Sequence, residues 1–318
     1  MPKPWGRTDL GPWSNARAGS GPVGEIWFER PLAPLAIAPL TRARAQTLLL
    51  KLLFAAEPLS IQVHPDDDDA RSFGQAHGKT EAWYILAADP GARVALGLKR
   101  PLLPAQLHAS IEDGSIEHLV AWRPVAAGDL VFVPAGTIHA VGAGLVVAEI
   151  QQTSDMTFRL FDFGRRRELH ATEAVAVADA GPPGAQPAPR RLADGRRLLV
   201  ASPYFVLEQF EFRPGSAWEL DAERETWLLV LGGAARIGGI EVRIGDALFL
   251  DADRAGIAVG PQGLTGLLAY VATEPRTGLL RDLDTWTAVP PFGPFPFDPA
   301  PHPPNPASVS ADLSETCP

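Results

Sequence analysis

Short apolar runs of strand length recur along the first half of the chain, and each is bounded by glycine, proline or aspartate. Runs of about four to eight apolar residues between turn formers are typical of β-strands, because helices usually need more than ~10 residues. Many such strands at close spacing indicate a β-sandwich or β-barrel. The predicted strands are Leu59–Val63, Ala82–Leu86, Arg93–Leu98, Asp129–Val133 and Leu145–Ile150.

Three further segments of the first half have distinct patterns. Thr41–Phe54 ends in a continuous apolar run that favours a buried strand over a surface helix. Asp66–His77 predicts a short helix, because its acidic residues would lie in the first turn, where the helix dipole favours negative charge. Leu169–Asp179 is rich in Ala and Glu and predicts a second helical stretch.

The second half repeats the strand pattern after a break. Gly181–Arg191 is rich in Pro and Gly and predicts a linker or long loop, and a β-rich region follows from about Leu198 to Val271. Its predicted strands are Tyr204–Phe212, Glu225–Leu231, Ala234–Ile237, Glu241–Ile244 and Ala247–Leu250. The tail from Pro290 is so rich in proline that packed structure is not expected there. We therefore predict a mainly β fold with two β-barrels, a few short helices and a Pro-rich tail, divided at 1–180, 181–197, 198–289 and 290–318.

Two pairs of similar segments, an internal echo of the first half in the second, support a duplication. Lys79–Gly97 resembles Arg224–Gly239, and Gly128–His139 resembles Gly245–Gly256, in the same order along the chain. The second copy has Gly256 where the first has His139, and no histidine occurs between His170 and His302. If there are two barrels, only the first can hold a metal through histidine.

Composition excludes several classes of protein. The single cysteine, Cys317, rules out disulfides and Cys-based zinc sites within one chain. The net charge of −9 argues against bulk nucleic-acid binding, although local Arg or Lys residues could still hold a small anion. No apolar run reaches the ~18 residues of a membrane span, and the N-terminus lacks a signal-peptide core, so we predict a cytoplasmic protein without membrane contact.

Four polar residues form a candidate metal site. Gln62 and His64 lie at i and i+2 of a predicted strand, so both side chains point to one face. Glu81 and His139 lie at the ends of other predicted strands. Two imidazoles, one carboxylate and one amide oxygen suit Zn²⁺ and tolerate another divalent ion. Each residue alone could instead cap a strand or pair on the surface.

Several motifs resemble a known family. The pattern Gly128-x5-Pro134-x-Gly136-x2-His139 matches a cupin signature, and four segments are similar to type I mannose-6-phosphate isomerases of the short bacterial form. The likeness covers residues 1–170 in the correct order and is weak beyond them. It implies that the predicted barrels are cupin barrels. The four segments are Gly24–Glu29, Leu59–Asp67, Gly78–Leu86 and Val133–Arg165.

The resemblance implies roles for particular residues. Gln62, His64, Glu81 and His139 would bind one zinc ion per chain. Arg159 would be catalytic, Glu149 and Lys79 would line the catalytic pocket, and Ser60 and Arg165 would contact the substrate phosphate. The partner would be a small-molecule sugar phosphate, and the chain would be a monomer or a small homo-oligomer.

The implied reaction interconverts mannose 6-phosphate and fructose 6-phosphate through a cis-enediol. A proton moves between C1 and C2, and either Glu149 or a metal-bound water could carry it, because Arg159 is too basic. Two alternatives stay open at this point. One is an iron-dependent cupin dioxygenase, against which Gln62 argues because that class usually has histidine there; the other is a non-catalytic, sugar-binding protein with two cupin barrels.

Overall fold

The computed structural model describes residues 1–14, 21–30, 47–192 and 195–284, and within them the strands form three sheets. The first half contains β1 (Pro2–Arg7), β2 (Glu25–Phe28), β3 (Leu48–Ala55), β4 (Ile61–Val63), α1 (Asp67–Ser72), β5 (Glu81–Ala88), β6 (Arg93–Leu98), α2 (Pro104–Glu112), α3 (Ile116–Leu119), β7 (Val120–Pro124), β8 (Leu130–Val133), β9 (His139–Val141), β10 (Leu145–Gln152), β11 (Phe158–Phe161) and α4 (Ala171–Val177). The second half contains β12 (Arg190–Arg191), β13 (Arg196–Ala201), β14 (Val206–Phe212), β15 (Ala217–Ala222), β16 (Thr226–Ile237), β17 (Ile240–Arg243), β18 (Ala247–Leu250), β19 (Asp253–Tyr270) and β20 (Leu280–Asp282).

Two antiparallel sheets of the first half face each other. Their strand orders are β2-β3-β10-β5-β8 and β11-β4-β9-β6-β7. Trp83 and Val147 of the first pack against Val94 and Leu96 of the second in a buried cluster, so the space between the sheets is a filled apolar core. The outer face of the second sheet is covered by α2, α3 and α4, which bury a second cluster around Ile111.

The strands of the second half form one strongly curved sheet within the described residues, in which the 18-residue strand β19 pairs with β14, β15 and β16. Its concave side encloses a large apolar cluster that includes Phe210 and Leu228. Its other side packs on the outer face of β3, β5 and β10 through residues such as Leu207 and Leu229. The fold is therefore mainly β, with curled sheets of the cupin-like kind.

Most predicted strands are present. Arg93–Leu98 and Ala247–Leu250 coincide with β6 and β18, and the ambiguous run before Phe54 is a strand whose eight residues are all buried. The acidic helix exists but ends early, at Ser72, with the Asp66 side chain accepting from Asp69 N at its start. The helical stretch after Leu169 is α4.

Other elements differ from the predictions. Glu225–Leu231 and Ala234–Ile237 merge into the single strand β16, which bulges between Val230 and Ala235. Helices α2 and α3 were not predicted, because their apolar positions are few and the N-cap of α2, Leu103, has no capping hydroxyl or carboxylate. No helix within the described ranges is long and apolar enough to cross a bilayer. The Pro-rich tail lies outside the described residues.

Candidate metal centre and active site

The four predicted ligands meet at one end of the space between the two facing sheets. Gln62 of β4 is directly opposite His139 of β9 in the antiparallel ladder, so their side chains share a face. His64 follows two residues after Gln62 and points the same way. Glu81 is the first residue of β5 in the opposite sheet. The strand pairing therefore brings together ligands that lie far apart in the sequence.

Three of these side chains form a buried cluster with the spacing of metal ligands. Potential ligand atoms of His64, Glu81 and His139 all lie within 4.8 Å of one another. Nε2 of His139 is 3.3 Å from Glu81 Oε1, and Nε2 of His64 is 3.7 Å from Glu81 Oε2. All three residues are at most 1% exposed.

The two imidazoles are oriented by backbone carbonyl groups. His64 Nδ1 donates to Met156 O and His139 Nδ1 donates to Thr137 O, each at 2.8 Å, when these nitrogens carry the proton. Burial lowers the pKa of both rings, in the case of His139 to about 4, so both are neutral at neutral pH. Their Nε2 lone pairs then face Glu81, and that of His64 also faces the Lys79 ammonium at 3.1 Å. Backbone carbonyls that bind Nδ1–H fix the ring orientation in the same way for histidines that bind a metal.

The carboxylate between the rings has fewer hydrogen bonds than a buried acid needs. Oε1 of Glu81 has no hydrogen-bond donor among the described residues, and Oε2 is paired with the Lys79 ammonium at 2.8 Å. Burial raises the pKa of Glu81 to about 8, despite the opposing effect of Lys79. A buried carboxylate oxygen without a donor is costly, and Oε1 faces the neutral His139 ring at 3.3 Å, so a cation beside Oε1 and the two imidazoles would be stabilised. The residues present therefore fit a divalent metal ion.

Gln62 completes the set and links it to Ser60. Its Nε2 lies 3.3 Å from His139 Nε2, while Ser60 Oγ donates to its Oε1 at 3.0 Å. Rotation of the amide by 180° would turn Oε1 toward the cluster, and the Ser60 hydroxyl could then accept from Nε2. Gln62 can thus supply a fourth, neutral oxygen ligand without losing its bond to Ser60.

A chain of alternating charges extends from the cluster. Lys79 Nζ lies 3.1 Å from His64 Nε2 and 3.8 Å from Glu149 Oε1. Burial lowers the pKa of Lys79, but the carboxylates of Glu149 and Glu81 outweigh it, so the net shift is upward. Burial raises the pKa of Glu149, yet Lys79 and then Lys51 outweigh it and lower the value to about 2. Lys79 is therefore a cation and Glu149 an anion at neutral pH.

Sequence reasoning missed Lys51. Its side chain is 3% exposed, and Nζ lies 3.7 Å from Glu149 Oε2 and 3.2 Å from Asp155 Oδ1. The ammonium also lies 4.1 Å from the centre of the Trp27 ring. The signal was present in the sequence, because a single lysine interrupts the apolar run Leu48–Ala55. A charged residue in a fully buried strand is rarely without a partner or a function.

Arg159 and Arg165 lie beside the cluster rather than in it. Arg159 is opposite Gln62 in the β4–β11 ladder, its Nη1 donates to Glu168 O at 2.7 Å, and its buried Nε has no hydrogen-bond partner. Arg165 pairs with buried Asp162, at 3.0 Å, and donates to Pro58 O. The described contacts join Gln62, His64, Glu81, His139, Lys79, Glu149 and Ser60 into one network, and they leave the two arginines on its border.

Comparison with known proteins identifies the family. The chain is 38% identical over 215 residues to the mannose-6-phosphate isomerase of Streptococcus mutans, a match that covers 64% of this chain and 67% of that protein. It is 32% identical over 227 residues to a Bacillus subtilis protein named Probable mannose-6-phosphate isomerase GmuF, with 68% and 70% covered. This chain belongs to the mannose-6-phosphate isomerase family. No protein-family model matches it.

A structural similarity also supports this family assignment: the fold resembles the crystal structure of the Bacillus subtilis mannose 6-phosphate isomerase. It superposes with a TM-score of 0.72 at 26% identity and covers 85% of this chain and 96% of the other. The shared fold extends over both halves of the chain, whereas the quoted sequence motifs lie before residue 170. The cupin-like architecture of this family member is thus shown by the structure, and the predicted isomerase class is confirmed by its relatives.

Proposed function

We propose that this chain interconverts mannose 6-phosphate and fructose 6-phosphate through a cis-enediol. The observation that carries the proposal is the buried His64–Glu81–His139 cluster, in which one carboxylate oxygen has no hydrogen-bond donor. The family relationship supports the substrate, because the relatives carry that name. It also disfavours both alternatives, the non-catalytic sugar-binding protein and the dioxygenase.

We assign one zinc ion, or another divalent ion, to Gln62, His64, Glu81 and His139. The support is their mixed donor set of two imidazole nitrogens, one carboxylate and one amide oxygen, which suits zinc better than calcium or magnesium. When bound, such an ion acts as a Lewis acid that polarises a carbonyl oxygen. A neutral Gln62 leaves the site more positive than a second carboxylate would.

The residues beside the cluster have complementary tasks in the proposal. Glu149 is held as an anion by Lys51 and Lys79, so it can accept the proton that moves between C1 and C2. The same lysines make it a weak base, and the reaction therefore depends on positive charge that stabilises the enediolate oxygen. The Lys79 ammonium supplies part of that charge. Arg159, on the strand beside Gln62, is proposed to supply the rest.

We propose that the substrate phosphate binds near Ser60 and Arg165. Ser60 is bonded to Gln62, which places a hydroxyl directly beside the proposed ligands. The Arg165 guanidinium is positioned by Asp162 and the Pro58 carbonyl. Arg167, which also binds Asp162 and lies 4.9 Å from the Trp5 ring, brings a second guanidinium to the same place. Asp162 and the exposed Glu57 carboxylate, 3.5 Å from Arg165 Nη1, face these two guanidinium groups, so a phosphate would compete with Glu57 for Arg165.

The division of the chain into two barrels is also a proposal. We propose a catalytic cupin barrel in residues 1–180, a linker at 181–197 and a second, degenerate cupin barrel at 198–289. The concave apolar cluster of the second half supports a second barrel, and its strands contribute none of the proposed ligands. The cytoplasmic location and the monomeric or small oligomeric state remain predictions.

A coupled assay tests the proposed function. Fructose 6-phosphate formed from mannose 6-phosphate is measured with purified, metal-replete protein, after chelation, and after zinc is restored, and metal content is determined at each stage. We expect turnover that disappears on chelation and returns with zinc. Absence of turnover in protein that holds one metal ion per chain would overturn the isomerase assignment. Turnover that survives complete removal of the metal would overturn the metal's role.

A further inference from the structure

A cavity lies on the outer face of the β11-β4-β9-β6-β7 sheet, away from the proposed metal ligands. It has a volume of about 560 Å³, and its lining contains none of Gln62, His64, Glu81 or His139. Arg93 lines it from the start of β6, on the same side of the strand as Ala95, which packs against the covering helices. The cavity is therefore separated from the metal centre by the sheet itself.

The lining has more positive than negative charge. Arg93 and Lys99 both border the cavity, and the single carboxylate in the lining belongs to Glu117. Among the described residues, neither cation has a carboxylate within ion-pair distance; the Lys99 ammonium donates to the His118 carbonyl at 2.7 Å. Two cations that converge on one cavity without an ion-pair partner mark a place where an anion could bind.

Aromatic surface lies beside these cations. Trp122 lines the cavity, is half-buried, and has the Arg93 guanidinium 4.7 Å from its ring centre. Phe163 also lines the cavity and has a backbone φ of 50°, one of two non-glycine residues with positive φ in the described chain. Left-handed backbone is unfavourable for a bulky side chain and often occurs at binding sites. A flat apolar group can pack against both rings.

Two backbone segments are in close contact at the cavity. Gly142 lines the cavity and donates its N–H to Arg93 O at 3.0 Å. A Cβ at Gly142 would lie 2.2 Å from that carbonyl oxygen, so only glycine permits this contact. The contact holds the segment after β9 against the start of β6, and it thereby fixes the position of Arg93.

We propose that this cavity is a second binding site, for a phosphate monoester that carries a ring. Arg93 and Lys99 neutralise the phosphate, and Trp122 and Phe163 receive the flat face of the ring. Nucleotides and sugar phosphates both have this chemistry. The site adjoins the proposed substrate-phosphate residues, because Pro58 lines the cavity and its carbonyl accepts from Arg165 Nη2 at 2.8 Å.

Calorimetric titration of the full, metal-loaded chain tests the proposal. The probes are inorganic phosphate, adenosine 5′-monophosphate and glucose 6-phosphate, with wild type, Arg93→Gln, Lys99→Gln and Trp122→Leu. Arg213→Gln is the matched control, because this arginine is 73% exposed on the other half of the chain. We expect one ring-bearing probe to bind more tightly than phosphate, and the tighter of the two identifies the ring. Arg93→Gln should weaken it about tenfold, the effect of losing one charge-assisted hydrogen bond.

Further measurements separate this site from the active site. Binding that is weakened by Arg93→Gln and Trp122→Leu but unchanged by Arg213→Gln supports the proposal, because a sugar phosphate in the metal pocket would not respond to those variants. Thermal unfolding checks that each variant is folded. Because Arg93 is exposed, we expect Arg93→Gln to keep the melting temperature of the wild type. Absence of binding up to about 10 mM, or binding that is equal in wild type, Arg93→Gln and Lys99→Gln, would overturn the site. Equal affinity for all three probes would overturn the role of the aromatic rings.

Discussion

Two glutamates at matching positions of the internal echo have opposite environments. Each lies two residues before a tryptophan: Glu81 before Trp83 in the first half, and Glu225 before Trp227 in the second. Glu225 accepts from Thr47 N and Oγ1 at 2.7 and 2.8 Å, and from Leu48 N at 3.1 Å. Glu81 is more deeply buried; its Oε2 is paired with Lys79, and its Oε1 has no donor among the described residues.

The same contrast holds inside the concave sheet of the second half. Glu208 is fully buried there, and its two oxygens accept from Arg196 Nη1 and the Tyr270 hydroxyl, each at 2.8 Å. Glu225 and Glu208 have donors on both oxygens, as structural buried carboxylates do, whereas Oε1 of Glu81 lacks a donor and could bind a ligand. The comparison therefore distinguishes a functional acid from two structural ones within one chain.

The largest expected effect comes from Glu81→Gln compared with Glu225→Gln. Glu81→Gln should reduce metal content from one ion per chain to almost none and lower isomerase activity about a thousandfold, because the electrostatic centre of the site is lost. The stability of the metal-free protein at neutral pH should be nearly unchanged, because burial raises the pKa of Glu81 to about 8 and the amide has the same shape as the protonated acid. Elemental analysis, the coupled assay and urea unfolding measure these three quantities.

Glu225→Gln is the matched control for that experiment. It should keep one metal ion per chain, because Glu225 lies outside the ligand cluster. Full metal content in Glu81→Gln, or equal metal loss in both variants, would show that the contrast between the two acids has no functional meaning.

The second prediction concerns pH and the metal-free protein. Burial lowers the folded-state pKa of His139 from 6.5 to about 4. Between these values the unfolded chain binds the proton and the folded chain does not, so stability is full above pH 6.5 and falls as the pH decreases toward 4. The shift corresponds to about 3 kcal/mol.

Urea unfolding at several pH values between 7.5 and 4.5 measures this loss. The His139→Asn variant should show a shallower decline, because it lacks the titrating ring, while replacement of the exposed His108 should leave the slope unchanged. A slope that is identical in wild type and His139→Asn would contradict the prediction.

A third prediction tests the structural role of Glu225. Its three hydrogen bonds join the start of β16 to the start of β3, across the interface between the two halves. Glu225→Gln should lower the free energy of unfolding by about 2 kcal/mol, because an amide replaces one strongly accepting oxygen with a donor. Chemical denaturation of the metal-free form measures the change. Unaltered stability would show that Glu225 does not stabilise the fold.

The contrast between the glutamates shows what could be predicted from the sequence. Alternation of polar and apolar residues was enough to place Gln62 and His64 on one face, and local runs were enough to find β6 and β18. The pairing of Glu81 with His139 depends on contacts between distant strands, and only the family resemblance grouped them in advance.

Strand faces were harder to predict than strands. The echo aligns Trp83 with Trp227, yet Trp83 packs between the two facing sheets and Trp227 packs at the interface between the two halves. A shift of one residue in register exchanges the two faces of a strand, and no short motif reports that shift. The different environments of Glu81 and Glu225 follow from it.

The smallest expected effect concerns Lys51, a buried lysine beside Glu149 in the proposed catalytic pocket. Lys51 helps to keep Glu149 ionised, but Lys79 and Trp83 also contact that carboxylate. Lys51→Met should therefore lower kcat about tenfold and leave metal content intact, because one of two neutralising charges is lost. Lys3→Met is the control, since Lys3 is partly exposed and pairs with Glu25 instead. An unchanged kcat with normal metal content would show that Lys51 only stabilises the buried strand. A fall in kcat with unchanged KM would place it with Glu149, among the residues that act on the proton transfer rather than on the metal.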